Sequence, residues 1–186
     1  GIDVSSFQGE INWDAVADDN IDFAMVRVGF RGTGTGSLNT DKYYEQNIRG
    51  AMRAGLETGV YFFAQAVTVE EAIEEADYVI NLLDGLDING PVAYDWEMHD
   101  STYRVYGTSP EMATACAVAF CERIKDAGYT PMVYGGTYVT YMKYDQGALA
   151  DYLSWYPEYK SEKSEKLCPT LVYHMDYWQF SSTRAV

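Results

Sequence analysis

Basic residues are scarce in this chain. Thirteen Lys and Arg stand against 28 Asp and Glu, a formal net charge of −15 over 186 residues. A nucleic-acid binder needs a basic patch to displace counterions from phosphates, and no Lys/Arg-rich run exists here. An anionic membrane surface is excluded as a partner on the same ground. Cysteine is also rare. Cys116, Cys121 and Cys168 are an odd number without CxxC spacing, which excludes a disulfide framework and a zinc site and leaves open only a single bridge to Cys168. Histidine is limited to His99 and His174, too few and too scattered for a ligand cluster, so no metal and no other cofactor is expected. Ser5, Ser6 and the thiols lack a nearby His base, which argues against a nucleophilic triad. No apolar run approaches the ~18 residues of a membrane span. Gly1 opens the chain without a signal-peptide pattern, so either the protein works inside the cell or that segment was removed.

Apolar residues are not lacking. They make up 47% of the chain, which rules against disorder, and the length suits one domain. Such a domain buries about 70% of its unfolded surface. Seventeen tyrosines exceed ordinary core needs, and a surplus of Tyr and Trp suits stacking on the flat C–H faces of sugar rings.

Strand and helix signals alternate. Gly1–Ser5 reads as a short strand, and Asn12–Ala17 as a short helix capped by Asn12. Asp22–Gly29 is a strand, and Phe30–Asn39 a Gly/Thr/Ser loop. Within that loop RGTGTG has only a superficial likeness to a phosphate loop, because it lacks Gly-Lys-Ser/Thr. A helix is expected over Thr40–Ala54, capped by Thr40 and stopped by Gly55. Thr58–Ala64 is a strand. Thr68–Leu83 opens with a capping box, TVEE, and runs to Gly85. Pro91–Glu97 is an acidic strand, and Ser109–Ala127 a helix with Pro at its first position. Thr130–Gly135, Tyr152–Trp155, Leu171–Tyr173 and Tyr177–Phe180 complete the strands, and Lys160–Lys166 reads as a solvated loop. About five βα units followed by a strand-rich part predict an α/β fold. The expected architecture is a single atypical TIM-like β/α barrel over residues 1–186, with about eight strands and fewer helices. Chemistry in such barrels sits at the carboxyl ends of the strands.

Asp95-Trp96-Glu97 lies at such an end. Side chains alternate along a strand, so Asp95 and Glu97 share a face with Cα atoms roughly 6–7 Å apart. Pro91, Ala93, Asp95 and Glu97 form a set that runs from small to acidic and leaves room for a pocket, while Val92, Tyr94 and Trp96 suit contact with covering helices. Two carboxylates so placed are the parts needed to break a glycosidic bond. Asp3, between Ile2 and Val4, is either a third acid of that site or the partner of a structural ion pair with Arg27. Tyr61, Tyr134 and Trp178 fall on or near strand ends, where each either packs in the core or walls a sugar site.

Taken with GIDVSSFQGEINWDAV, FAMVRVGFRGTGTG, KYYEQNIRGAMRAGLETGVYFFAQA, PVAYDWE, AGYTPMVY and YWQF in that order, the chain resembles the lysozymes of glycoside hydrolase family 25. The resemblance implies hydrolysis of the β-1,4 bond between N-acetylmuramic acid and N-acetylglucosamine in peptidoglycan. It implies Glu97 as general acid, with a raised pKa, Asp95 as its ionised partner and Asp3 as the acid of the first strand. Tyr61, Tyr134, Trp178 and Gln179 of the YWQF stretch are the candidates for binding glycan. A further family Asp just beyond the Trp-Gln strand has no counterpart, because no acid follows Asp176. The implied partner is the glycan strand of peptidoglycan, met by a monomer that is secreted or wall-associated, or of phage origin. A wall-binding module would lie outside these residues. Two other readings stay open on the residues: a glycan-binding barrel without catalysis, and a glycosidase for a related N-acetylated polymer such as chitin.

Overall fold

The computed structural model describes residues 1–160 and 168–183. Eight strands and five α-helices follow one another as β1 (Ile2–Val4), α1 (Trp13–Asp18), β2 (Phe23–Arg31), β3 (Leu38–Thr40), α2 (Tyr44–Arg53), β4 (Glu57–Ala64), α3 (Val69–Leu82), β5 (Val92–Trp96), α4 (Pro110–Asp126), β6 (Pro131–Tyr134), α5 (Thr137–Met142), β7 (Leu153–Pro157) and β8 (Tyr177–Gln179). Side chains cap three helices where the sequence suggests. Asn12 accepts from the Ala15 N–H, Thr68 from Glu71 and Ser109 from Met112, each satisfying a donor the helix cannot use. Gly55 and Gly128 end α2 and α4 at φ +84 and +91, a left-handed turn that a side chain would strain.

Seven strands lie in the order β1-β2-β4-β5-β6-β7-β8, all parallel, with β3 antiparallel on the side of β2. The sheet curls as a barrel does, but among the described residues no ladder joins β8 to β1, so the cylinder stays open along that seam. The two faces carry different cores. Val26, Val60, Phe62, Val92, Tyr94 and Trp96 pack outward with the helices, and Tyr94 meets Phe120 of α4 at 4.8 Å between ring centroids. Burying each large apolar side chain there contributes about 1.5–3 kcal/mol. Met25, Ala93, Met132, Tyr134 and Trp155 form a separate inner cluster, ringed by Phe23, Tyr61, Leu153 and Tyr177. The expected split of the acidic strand is therefore observed, with Val92, Tyr94 and Trp96 facing the helices and Ala93 facing in.

Three local expectations are corrected. Phe30–Asn39 is not a loop: β2 runs on to Arg31, and the Gly-rich turn reverses the chain into β3, with Gly32 N–H donating to Ser37 O. Arg31 holds the turn by donating to Gly36 O at 2.8 Å. Thr40 does not cap a helix, because it lies on β3 and bonds the Tyr78 hydroxyl at 2.6 Å, and α2 starts only at Tyr44. Leu171–Tyr173 is not a strand; it crosses the surface, with Val172 N–H on the Tyr141 hydroxyl. Residues 6–8 form a 3-10 turn and 137–142 a helix, neither of which the sequence announces. Residues 161–166 of the expected solvated loop lie outside the described residues.

Candidate functional site

Parallel strands aim their carboxyl ends at one rim, and β1, β5, β6 and β8 bring Asp3, Asp95, Tyr134 and Gln179 there, with Glu97 one residue past β5. Register places Asp95 beside Phe63 on one side and Tyr134 on the other. The turn that carries the two acids is anchored from the end of β4. The Trp96 indole donates to Ala66 O at 3.0 Å, and the Gln65 side-chain amide donates to Glu97 O at 2.7 Å. Gln65 is itself held, since its N–H donates to Glu75 at 3.0 Å and its carbonyl accepts from Arg104 at 2.9 Å. Arg104 grips both carboxylate oxygens of Glu71 at 2.8 Å, which ties the loop after β5 to the start of α3.

Asp95 is 5% exposed, and its Oδ1 has no hydrogen-bond partner among the described residues. Burial raises its pKa well above the usual carboxylate range. Glu97, by charge and by hydrogen bond, adds to the rise, Asp3 adds less, and Arg27 opposes it. The sequence reading put the reluctance to ionise on Glu97; the structure buries Asp95 more deeply, while the Glu97 side chain keeps 24% of its exposure. Asp95 therefore keeps its proton to higher pH than an isolated carboxyl does. His99 approaches Glu97 Oε2 at 3.5 Å and is steadied by edge contact with Tyr103.

Asp3 is also raised by burial, against the pull of a 2.9 Å hydrogen bond from the Gln179 amide. The alternative ion pair with Arg27 does not form. Arg27 pairs with Asp41 at 2.8 Å, donates to Ser6 at 3.2 Å, and lies between the rings of Phe7 and Phe30. It nevertheless bears on both Asp95 and Tyr61 as a positive charge. Tyr61 and Tyr134 flank Trp155, with centroids at 5.9 and 4.8 Å. The acidity of both phenols is suppressed, first by burial and then by the charges of the site acids. Both tyrosines therefore wall the acid cluster. Trp178 alternates away from Gln179, donates to Glu158 O at 3.0 Å and packs on Phe180. It faces a cavity of about 670 Å³ along the open seam, which Asp3, Met25, Trp155 and Gln179 also line.

Three contributors escaped the sequence reading. Trp155 shares a face with Leu153, a parity readable only once its strand is placed. Tyr159 lies beyond β7 and reaches Gln179 at 2.7 Å, and Gln65 acts through a backbone oxygen 32 residues away. His174 is distant from the rim and bonds Asp176 at 3.1 Å. All three cysteines are free. Among the described residues no group of three or more His, Cys, Asp or Glu is arranged to hold a metal ion, and no helix is long and apolar enough to cross a membrane.

Known proteins resemble this chain in sequence and in fold. The chain is 26% identical over 164 residues to the autolytic lysozyme of Clostridium acetobutylicum, a match covering 88% of this chain and 46% of that protein. The bacterial lysozyme from Streptomyces coelicolor superposes with a TM-score of 0.77 at 25% identity, covering all of this chain and 84% of that one. The spore cortex lytic enzyme SleM of Clostridium perfringens shares the fold, with a TM-score of 0.80 at 22% identity over 100% of this chain and 62% of that one. This chain thus spans less than half the length of its curated clostridial relative. The profile of Glycosyl hydrolases family 25 matches residues 2–186, and the chain belongs to that family.

Proposed function

We propose that residues 1–186 act as one catalytic barrel that hydrolyses peptidoglycan, cleaving the β-1,4 bond between N-acetylmuramic acid and N-acetylglucosamine. The observation that carries this reading is the buried Asp95 at the carboxyl end of β5, with Glu97 two residues on and Asp3 brought to the same rim by β1. Membership in the family, and likeness to proteins named as lysozymes, support it.

In the proposed reaction the proton held by Asp95 moves along the Asp95–Glu97 hydrogen bond as Glu97 protonates the glycosidic oxygen. The bond from that oxygen to the anomeric carbon breaks, and the leaving sugar departs neutral. Asp95, now charged, stabilises the oxocarbenium-like transition state in a site where burial strengthens the attraction. Either a water attacks the anomeric carbon directly, or the substrate's own acetamido oxygen does and a water then opens the ring so formed; in both cases the proton that water loses returns to the Asp95 and Glu97 carboxylates, and the anomer of the product distinguishes the two. Tyr61, Tyr134 and Trp155 form the wall against which a sugar ring packs. The site acts on cell wall outside the cytoplasmic membrane, reached by export or as a phage product. Because a charge of −15 gives no attraction to an anionic wall, attachment falls to a module outside these residues.

Purified peptidoglycan is the test. Soluble muropeptides with muramic acid at the reducing end are the expected product; N-acetylglucosamine at that end, or no release, refutes the reading. Glu97→Gln keeps the shape and removes the transferable proton, so turnover should fall about 10³-fold with the fold unchanged by circular dichroism.

A further inference from the structure

We propose that Gln179 is a positioning residue, a strut that crosses the open seam from β8 and holds the Asp3 carboxylate in the site, not a group that binds glycan directly. Its kinetic consequence rests on the lysozyme reading above; its geometry does not.

The Gln179 amide is committed on both sides. Its Nε2 donates to Asp3 Oδ2 at 2.9 Å, and its Oε1 accepts from the Tyr134 hydroxyl at 3.2 Å and the Tyr159 hydroxyl at 2.7 Å. A phenol either donates or accepts, but an ionised carboxylate only accepts, so Asp3 sets the amide orientation and the two phenols then donate to the oxygen. An oxygen with two donors and a nitrogen facing a carboxylate leave little capacity for a sugar hydroxyl.

The position matters because of the seam. Every neighbouring pair of strands from β1 round to β8 is joined by a backbone ladder, which fixes where its side chains point. Among the described residues β1 and β8 lack such a ladder, and β1 is three residues long. Asp3 therefore sits on a free edge beside a cavity of about 670 Å³, with a ladder on one side only. Arg27, the cation nearest in sequence register, is taken by Asp41. The hydrogen bond from Gln179 supplies the restraint the missing ladder does not, and charge-assisted bonds of this kind are the strong ones. On the far side, β7 holds Gln179 in register opposite Pro157, and Tyr159 two residues beyond Pro157 closes the network. Asp3 thus inherits its placement from β7 and β8.

The test follows the Asp3 carboxyl by ¹³C NMR through a pH titration, in wild type, in Gln179→Met and in Tyr159→Phe. Met fills the volume without donating. Removing the donor should move the Asp3 midpoint upward, because the bond favours the ionised form. Tyr159→Phe, at a side chain 54% exposed and so tolerant of change, should move it the same way by less. On peptidoglycan, Gln179→Met should lose roughly 10–100-fold in kcat with KM nearly unchanged, since a misplaced carboxylate affects the transition state more than binding. An Asp3 midpoint unmoved in both variants, or a loss confined to KM, overturns the proposal. If Gln179→Met does not fold, the Tyr159→Phe titration decides alone. If wild type releases no muropeptide, the lysozyme reading falls while the titration still judges the strut.

Discussion

Asp95 illustrates what burial does to a single carboxyl. Its folded pKa lies far above the unfolded one, so the native state binds the proton more tightly than the open chain does. The stability it contributes is fully present below the unfolded pKa and is lost as pH rises through the folded pKa. Asn at this position removes that loss. Asp95→Asn should therefore raise the melting temperature, by more at about pH 8 than at about pH 5, while activity collapses. Thermal melts at the two pH values check the sign; a variant less stable at the higher pH contradicts the burial argument. At Asp41 burial also pushes upward, but the Tyr43 and Ser6 N–H groups and Arg27 outweigh it and hold that carboxyl below its usual range. Asp95 and Glu97 were legible as residues because period-two alternation alone places them together. Which of them carries the greater desolvation was not, because that depends on Phe63 and Tyr134, which flank Asp95 from neighbouring strands.

Among the elements, α3 has two separable jobs. Its start is built by Thr68, whose hydroxyl accepts from Glu71 N–H at 3.3 Å. The other half of the expected capping box is redirected: Glu71 Oε2 accepts from Val67 N–H at 2.8 Å and the carboxylate takes Arg104, one residue and one loop away from the standard partner. Thr68→Ala should cost about 1 kcal/mol in urea unfolding, as for other lost caps, and leave peptidoglycan cleavage intact once folded. A loss of cleavage in the folded variant would mean that the cap, and not only the Glu71–Arg104 clamp, sets the loop after β5. Helix boundaries at α1, α3 and α4 were readable because caps are local chemistry. Thr40 misled because a hydroxyl serves a strand edge as well as a cap; the sheet won, pairing Thr40 with Gly29.

Taken as a whole, the barrel is braced by one buried charge cluster. Arg31 on β2 donates to Glu75 at 2.7 Å, to Glu74 at 2.7 Å and to Gly36 O, and Glu75 also accepts from Gln65 at the end of β4. β2, the Gly-rich turn, α3 and the turn behind Glu97 thus converge on the Arg31–Glu75 pair. Burial pushes the Glu75 carboxyl up to about 7, against the pull of Gln65 N–H and Arg31. Glu75→Ala should destabilise by about 1–3 kcal/mol, because it strands the buried Arg31 Nε while Glu74, Gly36 O and Glu71 O keep the other two nitrogens paired, and chemical denaturation measures it. A loss below about 1 kcal/mol would show that Glu74 and the two carbonyls satisfy Arg31 without Glu75.

Alternation of strand and helix, the caps, the glycine stops and the pairing of Asp95 with Glu97 were determined by the sequence alone, because each depends on neighbours within a few residues. The tertiary structure alone decided three things. It left β8 and β1 without a ladder among the described residues, gave Asp3 to Gln179 instead of Arg27, and put Trp155 and Tyr159 among the acids. These contacts join residues up to 176 positions apart, and no local periodicity encodes which distant side chain arrives when a sheet curls.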